Sequence, residues 1–218
     1  MPEPTECDTQ LATIAVARPE GSLSGPGECG APDAVLLQGV MLADGATVAV
    51  TPPATLRCTM AQTVAHWLRE AVAPAAAKLG SPLRGLENLD SYECRTRDRV
   101  PGAKLSEHGR ANALDVGSFK LASGKILALA DPQVSKDFRE AVRAGACARF
   151  MTVLGPGSDS DHAAHVHIDL AERRNNYKIC EWNVNGPVAQ AAATPLPSDD
   201  VPLPRARPLV ANFGLRLR

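Results

Sequence analysis

The sequence predicts one α+β domain that is stabilised by disulfides and followed by a tail. Three observations lead to this prediction. The chain has 218 residues, of which 44% are hydrophobic, so it can bury one sizeable core. Candidate strands and helices alternate irregularly and some strand connections are short, which favours an α+β layer over a doubly wound parallel sheet. Six cysteines are spread along the chain without any CxxC pair.

Composition divides the chain into three parts. Residues 1–32 are rich in proline and glycine and show little periodicity, so we expect an irregular N-terminal arm that is pinned by Cys7 and Cys29. Residues 33–184 carry the regular patterns and form the predicted domain. Residues 185–218 are rich in proline and alanine, which predicts a flexible tail because such a composition buries too little apolar surface to offset its ordering entropy.

The first regular elements are a hairpin and a helix. Two apolar runs over residues 35–50 flank Asp44-Gly45, a dipeptide that favours tight hairpin turns, and Pro52-Pro53 should end the second strand. Residues 59–78 then follow a helical period, with Thr59 as the cap. Pro74 should interrupt the last turns of this helix, because it lacks an N–H group.

A second helix is expected over residues 132–149, with Asp131 as its cap and Pro132 at its first position. Further strands are expected before and after it. Their β-branched and alternating residues place them at residues 89–95, 113–119, 150–154 and 164–170.

Charge and cysteine content limit the class of protein. Lys and Arg (23) nearly cancel Asp and Glu (24), so we expect no nucleic-acid partner. No apolar run reaches the ~18 residues that a membrane-spanning helix needs. An even number of dispersed cysteines favours three disulfides and an oxidising compartment, in which case a signal peptide would precede Met1; the alternative is six buried thiols in a cytosolic protein.

Four of the five histidines lie in two short segments, residues 106–115 and 159–170. Because alternate side chains of a strand share a face, His165, His167 and Asp169 should point away from the core. The same alternation places Asp115 on the face opposite its apolar neighbours. If these strands are adjacent, Asp115 meets the two histidines.

These residues are suited to bind zinc. A catalytic zinc has three protein ligands and a water, and His108, Asp115 and His167 would supply the three. His165 would then stand beside the water as a general base, and zinc lowers the pKa of that water to ~7. Alternatively, His165 and His167 are ordinary exposed strand residues and Asp115 is a turn carboxylate, although this leaves the clustering unexplained.

The same motifs resemble known families. Ser106-x-His108-x6-Asp115 and His162-x-x-His165-x-His167 are similar to the metal motifs of the lysostaphin, D-Ala-D-Ala peptidase and hedgehog group, and the histidine spacing is similar to that of penicillin-insensitive murein endopeptidases. From about Cys29 to Cys180, the chain resembles the bacterial extensin-like C-terminal domain family. The segments that carry this resemblance are residues 91–95, 105–115, 153–159 and 165–170.

The resemblance implies a periplasmic zinc hydrolase of peptidoglycan, built on a small antiparallel sheet flanked by helices. It implies the same three zinc ligands and the same base as the residues themselves suggest. His162 would orient His165 or the substrate. Arg95 would bind an oxyanion or a terminal carboxylate of the substrate, or else is a surface arginine beside a disulfide. One departure from the family pattern is Val166, where an aromatic residue often stands.

We therefore expect a monomeric, zinc-dependent DD-endopeptidase or carboxypeptidase that acts on D-Ala-containing cross-links of peptidoglycan peptide stems. The alternative is a non-catalytic, zinc-containing module that binds peptidoglycan or a partner in the cell envelope. His165 discriminates between them, since a purely structural zinc needs no base. A serine hydrolase built on Ser106 is disfavoured, because no G-x-S-x-G motif occurs.

Overall fold

The computed structural model of the protein describes residues 5–185, which form a nine-stranded sheet with helices packed on one face. The strand order is β1-β2-β3-β4-β5-β8-β7-β9, with β6 paired to β5; β3/β4 and β7/β9 are parallel, and the other pairs are antiparallel. The strands are β1 (Ala15–Ser24), β2 (Gly30–Met41), β3 (Thr47–Arg57), β4 (Leu83–Asp90), β5 (Ala113–Leu121), β6 (Ile126–Ala128), β7 (Thr152–Leu154), β8 (Val166–Asp169) and β9 (Ile179–Glu181). The helices are α1 (Glu6–Leu11), α2 (Cys58–Trp67), a π-helical turn (Leu68–Val72), α3 (Ala73–Ala77) and α4 (Lys136–Arg149).

The predicted hairpin is confirmed as β2 and β3, and the positive φ of Gly45 allows its tight turn. The predicted end of the second strand at Pro52-Pro53 is wrong, because β3 continues to Arg57. A register shift lies between Leu37 and Gly39 of β2, and the two prolines fall opposite this shift, where neither has a β2 partner. Their missing N–H groups therefore cost no bond of this ladder.

The helix predicted over residues 59–78 forms in three consecutive pieces, namely α2, the π-helical turn and α3. It begins at Cys58, one residue before the expected position of Thr59 as cap. The predicted interruption near Pro74 is confirmed, since the chain changes to π-helical hydrogen bonding just before it, with the Ala73 N–H bonded to the Leu68 carbonyl.

The second helix, α4, starts later than predicted. Its cap is Ser135, whose hydroxyl accepts the Phe138 N–H, so the assignment of Asp131 as cap and Pro132 as first helical residue is wrong. The Asp131 carboxylate instead accepts the Gln133 N–H in a preceding turn. Both side chains satisfy free backbone N–H groups, and the local sequence does not distinguish a turn from a helix start.

Two other predicted segments differ in the structure. The strand expected over residues 89–95 is wrong, because β4 ends at Asp90 and the chain then leaves the sheet. The expected irregular arm is also wrong within the described residues, which form α1 and β1. Strand β1 pairs with β2 through three register shifts, which explains why its sequence shows no clear alternation. The strands predicted at 113–119, 150–154 and 164–170 correspond to β5, β7 and β8.

The α+β class and the disulfides are confirmed, although the sheet is larger than the small antiparallel one expected. All six cysteines are paired, as Cys7–Cys58, Cys29–Cys94 and Cys147–Cys180. These pairs join α1 to α2, the start of β2 to the segment after β4, and α4 to β9. The predicted tail of residues 185–218 lies, apart from Asn185, outside the described residues.

Thiol titration tests this pairing. In oxidised protein that has been denatured without reductant, a thiol reagent should detect no free thiol, because every cysteine lies in a disulfide. The same sample after reduction should yield six and serves as the control. Six reactive thiols in the unreduced sample would contradict the disulfides and the oxidising compartment inferred from them.

The core lies between the sheet and its helices. Trp67 of α2 is fully buried and contacts Phe119 and Phe150 edge-on, while its indole N–H donates to the Val142 carbonyl of α4. Over residues 5–185, no helix has both the length and the apolar character that crossing a membrane requires.

Candidate metal centre

Strands β5 and β8 hold two of the predicted ligands side by side. Asp115 and His167 are direct partners in the antiparallel register. The residues that flank them on both strands lie in the core, namely Leu114, Val116, Val166 and Ile168. Because side chains alternate along a strand, Asp115 and His167 project from the face that carries no helices. The two strands are therefore neighbours, which is the condition for Asp115 to meet the histidines.

His108 reaches the same face from a short 3₁₀ turn, Glu107–Arg110, which precedes β5. Ser106 caps this turn, and its hydroxyl accepts the His108 N–H. Gly109 packs closely beside it, because a Cβ there would lie 2.7 Å from Leu105 Cδ1 and would displace that side chain. The packed turn leaves the His108 side chain only 1% exposed and directs its ring toward Asp115.

The three side chains converge on one point. His108 Nε2 lies 3.2 Å from His167 Nδ1 and 3.3 Å from Asp115 Oδ1, and His167 Nδ1 lies 2.9 Å from Asp115 Oδ1. Ligand atoms of a tetrahedral ion with bonds of about 2.0–2.2 Å are about 3.3–3.6 Å apart. These residues could therefore hold one metal ion after small adjustments, and they form the only such cluster of three among residues 5–185.

Hydrogen bonds fix the orientation of both imidazole rings. His108 Nδ1 lies 2.6 Å from the Ser91 carbonyl, which can only accept, so Nδ1 carries a proton and Nε2 is the nitrogen that faces the cluster. His167 Nε2 lies 3.2 Å from Asp169 Oδ2 on the side away from Asp115. Such outer partners are typical of histidines that bind metals.

Without a metal ion, protons balance the charge of the cluster. Burial lowers the pKa of His167, but hydrogen bonds to Asp115 and Asp169 outweigh this effect and raise it to about 9. Burial likewise raises the pKa of Asp115, but hydrogen bonds from His108 and His167 hold it well below its usual range. The buried carboxylate is therefore ionised and needs a positive partner, which is either imidazolium or a cation.

His165 lies beside this cluster. Its Nε2 is 3.6 Å from Asp115 Oδ2, and its side chain is 19% exposed. Burial lowers the pKa of His165 more than the nearby Asp115 charge raises it, so the ring is neutral near pH 7. A neutral, half-buried imidazole at this position can accept a proton.

His162 lies next to His165 and His167. Its ring centre lies 5.2 Å from that of His165 and 5.7 Å from that of His167. Its Nδ1 bonds to Asp159, whose carboxylate also accepts the backbone N–H groups of Asp161 and His162. Asp159 thus fixes the His162 ring through Nδ1.

Arg95 lies on the other side of Asp115. Its Nε donates to Glu93 at 2.9 Å, and its Nη2 donates to Asp90 at 3.0 Å and lies 4.0 Å from Asp115 Oδ2. These acidic neighbours hold Arg95 beside the cluster, and its side chain is 17% exposed.

All six residues predicted for the site line one open cleft of about 520 Å³. These residues are Arg95, His108, Asp115, His162, His165 and His167. Sequence reasoning missed the roles of residues that hold them in place, namely Asp90, Ser91, Glu93, Thr152, Asp159, Asp169 and Arg173. Alternation along β8 places Asp169 on the same face as His167, but its partner Thr152 lies in a different strand, β7.

The comparisons with known proteins gave one match. The sequence model of a family described as "Extensin-like protein C-terminus" matches residues 5–181. The match includes α1 and β1, which precede the segment from about Cys29 to Cys180 where the resemblance was expected. No curated protein and no solved structure matches the chain significantly.

Proposed function

Because the chain belongs to the extensin-like protein C-terminus family, we propose that it is a zinc-dependent peptidase of the bacterial cell wall. Its substrates are D-Ala-containing peptide cross-links of peptidoglycan, which it cleaves as a DD-endopeptidase or carboxypeptidase in the periplasm. The observation that carries the proposal is the convergence of His108, Asp115 and His167 in an open cleft, with His165 beside them.

The donor set supports zinc. Two imidazole nitrogens and one carboxylate oxygen are ligands that catalytic zinc sites use, and three protein ligands leave a position for water or substrate. When bound, zinc supplies a Lewis acid that polarises a carbonyl oxygen and acidifies water. The cleft leaves the cluster accessible, whereas a structural zinc site is closed by four protein ligands.

The neighbouring side chains have separate tasks. His165 lies next to Asp115 without belonging to the convergent ligand atoms, so it accepts a proton from the attacking water. His162, fixed by Asp159, orients His165 or the substrate. The Arg95 guanidinium places positive charge beside Asp115, where it stabilises negative charge on the substrate.

Incubation with purified sacculi tests the proposal. The protein should release muropeptides, a chelator should stop the release, and added zinc should restore it. Mass analysis distinguishes the two activities, because an endopeptidase converts cross-linked dimers into monomers, whereas a carboxypeptidase releases free D-Ala. Zinc binding without any cleavage would favour a non-catalytic binding module, and cleavage that persists in chelator would contradict a metal mechanism.

Arg95→Ala should impair muropeptide release while leaving zinc content nearly unchanged. The guanidinium cannot bind the metal, but its loss removes positive charge near the reacting groups. Arg99→Ala is the matched control, because Arg99 also pairs with Glu93 but its side chain is 65% exposed. If the Arg95 variant released muropeptides as fast as the wild type, Arg95 would have no role in turnover.

A further inference from the structure

A line of polar side chains, two of them buried, runs along the wall of the cleft to His167. Arg173 Nη2 lies 2.6 Å from Thr152 Oγ1, which lies 2.5 Å from Asp169 Oδ1. The other oxygen of this carboxylate, Oδ2, lies 3.2 Å from His167 Nε2. Thr152 and Asp169 line the cleft but are only 3% and 5% exposed, so little of either residue is open to water.

The direction of each hydrogen bond in this line is determined. A guanidinium only donates, so Thr152 accepts from Arg173 and its own hydroxyl proton is free to point to Asp169. The Asp169 carboxylate accepts this proton and also accepts the backbone N–H of Ala171. Since Asp169 acts as an acceptor toward both Thr152 and Ala171, its Oδ2 also accepts, and the hydrogen atom between Asp169 and His167 sits on His167 Nε2.

We propose that Arg173, Thr152 and Asp169 are positioning residues that keep the proton of His167 on Nε2 and thereby present the Nδ1 lone pair to the metal. We call these three residues the Arg173 relay. This inference rests on the proposed zinc site and adds to it a set of residues that control one of its ligands.

The fold makes the relay rigid. Thr152 and Asp169 are direct partners in the β7–β8 register, so their side chains lie on the same face. The Met151 N–H bonds to the Asp169 carbonyl, and Arg173 Nη1 donates to the Met151 carbonyl. The relay is therefore anchored to the backbone at both ends, which limits rotation of the His167 ring.

Substitutions at Thr152 and Asp169 test the relay. Thr152→Val keeps the shape but removes the hydroxyl, so it breaks both hydrogen bonds; Thr152→Ser keeps the hydroxyl and is the matched control. In Asp169→Asn, the amide can donate to His167 Nε2 and so favours the proton on Nδ1. Competition with a chromophoric zinc chelator should show affinity lower by roughly 10–100-fold for the Val and Asn variants, and near the wild-type value for the Ser variant.

A second measurement reports directly on the proton. In long-range ¹H–¹⁵N spectra of the zinc-loaded wild-type protein, His167 should show metal-bound Nδ1 and protonated Nε2. A loss of side-chain packing alone would lower stability without changing which nitrogen is protonated. Should Asp169→Asn fail to fold, the Val and Ser variants of Thr152 still decide the question.

The outcomes separate this inference from the proposed function. If the wild-type protein binds zinc but His167 uses Nε2, or if Thr152→Val binds zinc as tightly as wild type, the relay is wrong and the zinc site stands. If the wild-type protein binds no zinc, the proposed function fails and the relay fails with it. Weaker binding by Thr152→Val, normal binding by Thr152→Ser and a protonated Nε2 in wild type together support the relay.

Discussion

The His167→Ala variant is expected to lose zinc binding and hydrolysis together. His167 supplies one of three convergent ligand atoms, and without it only His108 and Asp115 face the ion. The loss of affinity should exceed the roughly 10–100-fold that is typical when an outer partner of a ligand is removed. Metal content after dialysis and muropeptide release from sacculi are to be measured on the same preparation.

His66→Ala is the control for this variant. His66 is the one histidine outside the two site segments. It lies near the end of α2, its side chain is 51% exposed, and it pairs with Glu70 of the π-helical turn. Its removal should change neither zinc content nor release. Full zinc content in His167→Ala would show that His167 is not a ligand.

The His165→Ala variant should keep its zinc but hydrolyse slowly. If the imidazole only accepts a proton from the attacking water, its removal leaves all three ligand atoms in place. Hydrolysis should then fall by roughly 10²–10⁴-fold, the usual contribution of a positioned general base. Metal analysis, together with the rate of muropeptide release under identical conditions, separates this effect from loss of the ion.

His162→Ala provides the comparison for His165, since it removes a neighbouring imidazole that Asp159 holds through Nδ1. We expect a smaller decrease in rate than for His165→Ala. If the His165 variant lost its zinc and the His167 variant kept it, His165 would be the ligand and His167 the base. If neither variant changed zinc content or rate, the site as proposed would be wrong.

The sequence predicted which residues converge in the candidate site because the signals were local. Alternation along β5 and β8 correctly placed Asp115 and His167 on one face, since a strand that buries one face fixes the direction of every side chain. Alternation alone does not predict that these two strands pair, which the structure shows. His108 was proposed from the clustering of histidines in two short segments, and the turn that directs it was not predicted.

What sequence reasoning missed depends on contacts between distant segments. Strand β1 is recognisable only through its pairing with β2, because register shifts hide its alternation. The contact between Thr152 and Asp169 needs the β7–β8 register, and that between Arg95 and Asp115 needs the position of the chain after β4. No periodicity within one segment carries this information.

The disulfide Cys29–Cys94 has a consequence for when the site is completed. A long loop, residues 91–112, connects β4 to β5 and carries the Ser91 carbonyl, Arg95 and His108. The disulfide at Cys94 links this loop to the start of β2. Cys29 Sγ also packs near the loop, since it would lie 3.4 Å from a Cβ at Gly109, next to His108. In a newly made, reduced chain this disulfide is absent, so the loop has more conformational freedom and His108 is held less firmly. We therefore expect oxidation of the chain to hold the residues of the candidate metal centre more firmly in place.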